Sequence, residues 1–310
     1  MRVLWLATAA AAVPKVPKTT VSSQVRFVFV AGLEGAGHHT MQDLAERCGG
    51  TCVADGGISR HLWIYGPEDK STEGAFVYGD QTEKQIIKHR NMTVAAFRRK
   101  AAKHGSGPPQ LVFLNCIRGG TEAGPMMSYP WMAGKDKVLH RPDIRVLAML
   151  AEEARVDLRV VVLQRNALDT LMSTTVHRHF GANKAGSSQS YEAAVLHDMA
   201  AVLAAQLRAI DGAFVECVDL AARGWLERDG LAALNTTRDF LPRGETKGEQ
   251  AKEDREPRRA LAYKKDAKTD KEIKSALRSS PFVEHLAAAM AALDEACDDA
   301  RGFERGPRRV

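Results

Sequence analysis

Aromatic residues are scarce in this chain: Phe, Trp and Tyr make up 6% of its 310 residues. That is thin for a surface that stacks successive bases on aromatic rings. Long hydrophobic runs are missing too. Nowhere do about 18–20 apolar residues follow one another, which excludes a polytopic membrane protein. With Gly 25 and Pro 12 the chain is neither collagen-like nor low-complexity, and Cys 5 is too few for a disulfide-dense mini-protein. No single sign of charge dominates, since Lys+Arg 44 against Asp+Glu 38 leaves a net +6. A mildly basic balance suits an anionic ligand, a nucleic acid or an acidic polymer without choosing among them. The scarcity of aromatics makes nucleic acid the least expected of the three. The length accommodates one large domain or two small ones, with a substantial core.

The N-terminus reads Met1-Arg2, an apolar stretch from Val3 to Val13, then Pro14-Lys15. A positive residue, a short apolar segment and a run of Ala describe a secretory signal peptide or short signal anchor over 1–20. That reading implies the secretory pathway, the Golgi lumen in particular, and membrane association through this segment; a cytoplasmic protein is the alternative. Asn91-Met92-Thr93 and Asn235-Thr236-Thr237 are glycosylation acceptors in such a path. Of the cysteines, Cys48 and Cys52 are spaced to pair in an oxidising compartment. Cys116 and Cys217 lie in apolar runs, where they read as small buried hydrophobes. No zinc pattern forms, so no metal is expected.

The body of the chain alternates strand and helix patterns. Val25 to Ala31, Leu111 to Cys116, Leu158 to Leu163 and Ala213 to Val218 are nearly continuous apolar runs, with His61 to Tyr65 as a weaker strand. Helical spacing covers His39 to Arg47, Ile144 to Ala154, Asn166 to His179 and Tyr191 to Ile210. Buried strands alternating with helices predict an α/β fold, three layers α/β/α around a central parallel sheet. From Gly244 to Lys274 the residues are mostly charged, and an Ala-rich helix from Val283 to Cys297 follows. The expected organisation is a leader over 1–20, an α/β domain over 21–243 and a charged, partly helical extension over 244–310.

The first strand runs into Gly32-Leu33-Glu34-Gly35-Ala36-Gly37-His38-His39-Thr40. Glycines let a backbone turn closely around an anion, successive N–H groups point inward, and the following helix adds its N-terminus. Gly32 and Gly37 have Walker A spacing, but His38 and His39 stand where the Lys and Ser/Thr of a nucleotide hydrolase belong. His38 and His39 are also candidates to move a proton near neutral pH, with Glu34 as a third.

A second element follows the 158–163 strand: Arg165-Asn166-Ala167-Leu168-Asp169-Thr170-Leu171-Met172-Ser173. Ligands of parallel sheets bind outside the carboxyl ends of the strands, which is where Arg165 falls. Asn166 is a good helix cap and Asp169 suits the helix dipole. An Arg fork with a nearby hydroxyl makes a phosphate grip.

This second element resembles the nucleotide motif of the sulfotransferases that use 3′-phosphoadenosine-5′-phosphosulfate (PAPS), Arg-[Asn/Asp]-Pro-x-Asp-x-x-x-Ser. Only its Pro is replaced, by Ala167. The trailing His177-Arg178-His179-Phe180 is also similar. The glycine loop resembles the family's 5′-phosphosulfate loop, in a divergent form seen in algal sulfotransferase-like proteins. Val215 to Leu220 and Phe240-Leu241 resemble its strand-and-acidic-turn region, so the likeness spans roughly 25–241. It implies a P-loop-like sulfotransferase fold with PAPS as donor and no metal. Gly35, Ala36, Gly37, His38, His39 and Thr40 would hold the 5′-phosphosulfate, and Arg165 and Ser173 the 3′-phosphate. Sulfuryl transfer to a hydroxyl or amine of a glycan or small molecule would follow, with His38, His39 or Glu34 as base. The family's loop carries a Lys or Arg where this chain has Gly35, so positive charge at the sulfuryl group must come from His38, His39 or Arg118. Two other readings share the residues: a nucleotide-binding protein of the same fold that has lost transfer, and a P-loop small-molecule kinase. Ser128 to Met132 is a candidate acceptor-pocket segment.

Overall fold

The computed structural model describes residues 15–19, 24–38, 52–54, 83–104, 109–114, 131–133, 138–140, 143–177, 189–219, 274–275 and 277–300. In chain order the elements are β1 (Val25–Gly32), β2 (Cys52–Ala54), α1 (Glu83–His104), β3 (Gln110–Phe113), β4 (Trp131–Ala133) and β5 (Val138–His140). Then come α2 (Ile144–Ala154), β6 (Asp157–Gln164), α3 (Ala167–His177), α4 (Gln189–Arg208), β7 (Val215–Asp219) and α5 (Pro281–Ala300). The expected helix over 39–47 and strand over 61–65 fall outside the described residues.

Five strands form one sheet in the order β2-β3-β1-β6-β7, every pair parallel, while β4 and β5 make a separate antiparallel pair. The fold is α/β, with apolar cores on both faces of the sheet. β1 shows why: all eight of its residues are buried, and a strand's side chains alternate between faces. Phe27 and Phe29 enter a core with Phe97 of α1 and Leu147 and Ala151 of α2. Phe27 meets Phe97 edge-on, centroids 4.8 Å apart. Val28 and Val30 enter the opposite core with Leu171 of α3, Leu196 of α4 and Leu286 of α5.

Local signals set the helix ends. Asp143 caps α2 by accepting from the Arg145 N–H at 2.9 Å, and Arg155 closes it in a left-handed conformation. At α3, Asn166 Oδ1 accepts from the Asp169 N–H at 2.9 Å, as its N-cap position predicts.

Two features tie α5 to the sheet. α5, which the sequence groups with the charged extension, buries Leu286, Met290, Leu293 and Cys297 in the two cores. Cys217 of β7, read as a buried apolar residue, is buried but bonded to Cys297 of α5. Two cysteine sulfurs brought together by β7 and α5 form a covalent tie that strand periodicity does not reveal. Cys52 is also disulfide-bonded, with its partner outside the described residues.

At the other terminus, residues 15–19 are strapped to the sheet's lower end. The Val16 N–H donates to Ala209 O at 3.0 Å, and Val16 O accepts from the Asp211 N–H at 2.9 Å. Lys18 Nζ donates to Asp157 Oδ1 and Leu158 O, both at 2.9 Å. These residues fall within the 1–20 stretch expected as a leader. Among the described residues no helix is long and apolar enough to cross a membrane. Asn91 of the first glycosylation triplet is exposed on α1, while Thr93 is fully buried.

Candidate functional site

β1 is the switch point of the sheet. The strands that follow it in the chain are laid down first on one side, through β3 to β2, and later on the other, through β6 to β7. A crevice opens at the carboxyl ends of strands where the order reverses in this way. The glycine loop leaves β1 at this point. β6 ends beside it, with Gly32 in register with Leu163, and delivers Arg165 and then α3.

The loop begins with a tight turn in which the Ala36 N–H donates to Leu33 O at 2.9 Å. Gly35 follows at φ +86° and Gly37 at φ +113°, both in the region that side chains avoid. Gly35 also lies flat on α3. A Cβ there would stand 2.7 Å from Thr170 O, 3.0 Å from Thr174 Oγ1 and 3.1 Å from Ser173 Cβ. Arg165 Nη1 donates to Gly35 O at 2.6 Å. Thr174 Oγ1 is 3.0 Å from both Glu34 O and Thr170 O. The two sequence motifs are therefore in direct contact.

The residues expected in the site fare differently. Gly35, Arg165 and Ser173 meet. Ala36 is buried, and its N–H is engaged within the turn rather than directed at a ligand. Arg165 is half-buried and spends one donor on the loop's own carbonyl, which leaves its other N–H groups for an anion. Glu34 is half-buried and gives its backbone carbonyl to Thr174. His38 is buried at the first helical position after the loop. His39, Thr40, Arg118 and the Ser128–Pro130 part of the acceptor segment lie outside the described residues.

Two contributors were not legible in the sequence. Thr174 follows the Arg–Ser spacing by one residue and matches no motif. Lys274 sits at the end of the charged stretch, where nothing marks it from its neighbours, yet its Nζ reaches Asp169 Oδ1 at 2.5 Å. Burial would raise the Asp169 carboxyl, but hydrogen bonds from Lys274 and Asn166 outweigh it and hold the group below its ordinary range. The first turn of α3 is thus pinned from the C-terminal segment.

Chemically the site offers a backbone cradle, one partly committed guanidinium, a hydroxyl at Ser173 and a buried imidazole at His38. That set fits a phosphate-type anion. Among the described residues, no three His, Cys, Asp or Glu side chains gather as a metal would require. The chain matches no protein-family model, and no curated protein or solved structure is similar to it.

Proposed function

We propose that the chain is a PAPS-dependent sulfotransferase whose donor site is formed by the glycine loop after β1 and the Arg165–Ser173 element after β6. The observation that carries the reading is the contact between these two segments, with Arg165 Nη1 2.6 Å from Gly35 O. Two phosphate-binding elements 130 residues apart meeting at the switch point of a parallel sheet is the arrangement a nucleotide with phosphates at both ends calls for. Gly35 lets the loop pack closely on α3, and Ser173 and Arg165 would supply side-chain donors to the nucleotide.

When bound, PAPS supplies an activated sulfuryl group. The chain's part is to hold both ends of the donor, exclude water and take the acceptor's proton. Backbone N–H groups of the loop and the guanidinium stabilise negative charge on the leaving phosphate. His38, next to the loop and buried, is one candidate base, with His39 and Glu34 as the others. The acceptor is a hydroxyl or amine of a glycan or small molecule, and the secretory pathway is the proposed location.

A second reading has a specific observation behind it. Gly35 stands where the family's loop has a basic residue, and neither its φ nor its packing admits one. A protein that binds the nucleotide without transferring sulfate is consistent with that. The test separates them. Binding of 3′,5′-ADP should raise the melting temperature, because a ligand of the folded state stabilises it, whereas 5′-AMP should not. Label transfer from ³⁵S-PAPS to a panel of acceptors then favours the enzyme. Binding without turnover favours the second reading, and no 3′,5′-ADP binding rejects both.

A further inference from the structure

We infer that Thr174 is a positioning residue that sets the orientation of the glycine loop's peptide groups and so makes the loop a receptor for anions. The inference rests on the nucleotide-site reading for its ligand but not for its geometry.

In a trans peptide the carbonyl and the following N–H point in opposite directions. Thr174 Oγ1 approaches Glu34 O at 3.0 Å, and Arg165 Nη1 approaches Gly35 O at 2.6 Å. Both carbonyls are therefore drawn towards α3 and its entry. The N–H groups of Gly35 and Ala36, which share those peptide planes, face the other way. That of Ala36 closes the turn on Leu33 O; that of Gly35 is turned from α3. Were the peptides flipped, the loop would present carbonyl oxygens, and an anion would be repelled.

The hydroxyl of Thr174 stands between the loop and its own helix. It is fully buried. A threonine inside a helix ordinarily bonds the carbonyl four residues back, here Thr170 O at 3.0 Å. Thr174 meets a second carbonyl, from a segment 140 residues away, at the same distance. With one proton for two acceptors, the hydroxyl is shared between its own helix and the loop. Gly35 completes the fit, since any side chain there would strike Thr170 O and Thr174 Oγ1 and lift the loop off α3.

The experiment uses the full chain with Thr174→Val, which keeps the shape and removes the donor, and Thr174→Ser, which keeps the donor. Affinity for 3′,5′-ADP is measured by calorimetry, and amide hydrogen exchange is followed over 33–38 and over β1. The expected result is about a tenfold loss of affinity for Thr174→Val, the scale of one hydrogen bond. Thr174→Ser should stay within about twofold of the parent. Faster exchange should be confined to the loop, Ala36 above all, with β1 unchanged. A general loss of stability would instead speed exchange in β1 and would not be rescued by serine. If the parent chain fails to bind 3′,5′-ADP, the nucleotide reading falls, and the exchange data alone decide the role of Thr174. Unchanged loop exchange in Thr174→Val overturns the inference in either case. Thr174→Ala replaces the valine variant if that does not fold.

Discussion

At Gly35, two independent constraints exclude a side chain. Its φ of +86° costs an L-residue about 1–2 kcal/mol, and a Cβ would sit 2.7 Å from a backbone oxygen of α3, which cannot swing aside. The absence of a basic side chain at this position, where the proposed sulfotransferase reading would call for one, is thus built into how this loop packs. Gly35→Lys should therefore not supply the missing charge. The expected outcome is a loss of about 2 kcal/mol or more, read as a lower urea midpoint with an unchanged slope, together with weaker 3′,5′-ADP binding. A lysine variant as stable as the parent, or one with gained transfer activity, would show that the loop can lift away from α3.

Between elements, the strap over 15–19 meets β6 through a charged junction. Lys18 and Asp157 form an ion pair at 2.9 Å with side chains 7% and 6% exposed, and Arg26 reaches the other carboxylate oxygen at 2.6 Å. Burial alone would raise the Asp157 carboxyl; Lys18 and Arg26 overcome it and hold the group below its ordinary range. Burial also lowers Lys18 in spite of the facing carboxylate. For a carboxylate held low by folding, the stabilisation is complete above its unfolded value of about 3.9 and disappears as pH falls through the lower folded value. The domain should accordingly lose stability below about pH 4, with a slope that Asp157→Asn flattens. The same variant should cost about 3–5 kcal/mol at neutral pH, because it leaves buried cations without their carboxylate. Urea midpoints from pH 6 to 2 decide it: parent and variant curves that run parallel on the acid side would refute the assignment.

This junction also marks where sequence reading stops. β1, α2 and β6 were legible because burial on one or both faces writes itself into apolar period, and α2 begins and ends where that period does. α1 was not. It is highly charged, and among its described side chains only Thr93, Val94 and Phe97 are buried, too few to print a stripe. β4 and β5, at three residues each, are shorter than any periodic signal. In the site, the Gly and Arg–Ser spacings were legible because motifs are local. Thr174 on the loop, Lys274 on Asp169 and Lys18 on Asp157 were not, since each depends on contacts more than 100 residues apart in the chain.

For the molecule as a whole, the decisive tie is the Cys217–Cys297 disulfide. α5 packs along α4 and over the edge of the sheet, and it brings with it the segment that carries Lys274 to the mouth of the site. The disulfide joins residues 80 apart, across the charged stretch. In the chain-entropy account a cross-link stabilises by restricting the unfolded chain, and a loop of this size corresponds to about 4.5 kcal/mol. Against a typical total of about 5–15 kcal/mol, that is enough to decide whether α5 stays docked. Replacing both cysteines by alanine should therefore lower the melting temperature by many degrees and expose Lys274 and Asp169 to independent motion. Because Cys217 is 3% and Cys297 0% exposed, a reductant reaches the bond only when the structure opens. Reduction of the native protein should then be slow, and accelerate with urea in step with unfolding. Fast reduction with full retention of structure would mean that α5 detaches on its own. In that case α5 would be separable from the sheet, where the packing of Leu286, Met290 and Leu293 in the two cores holds it in place.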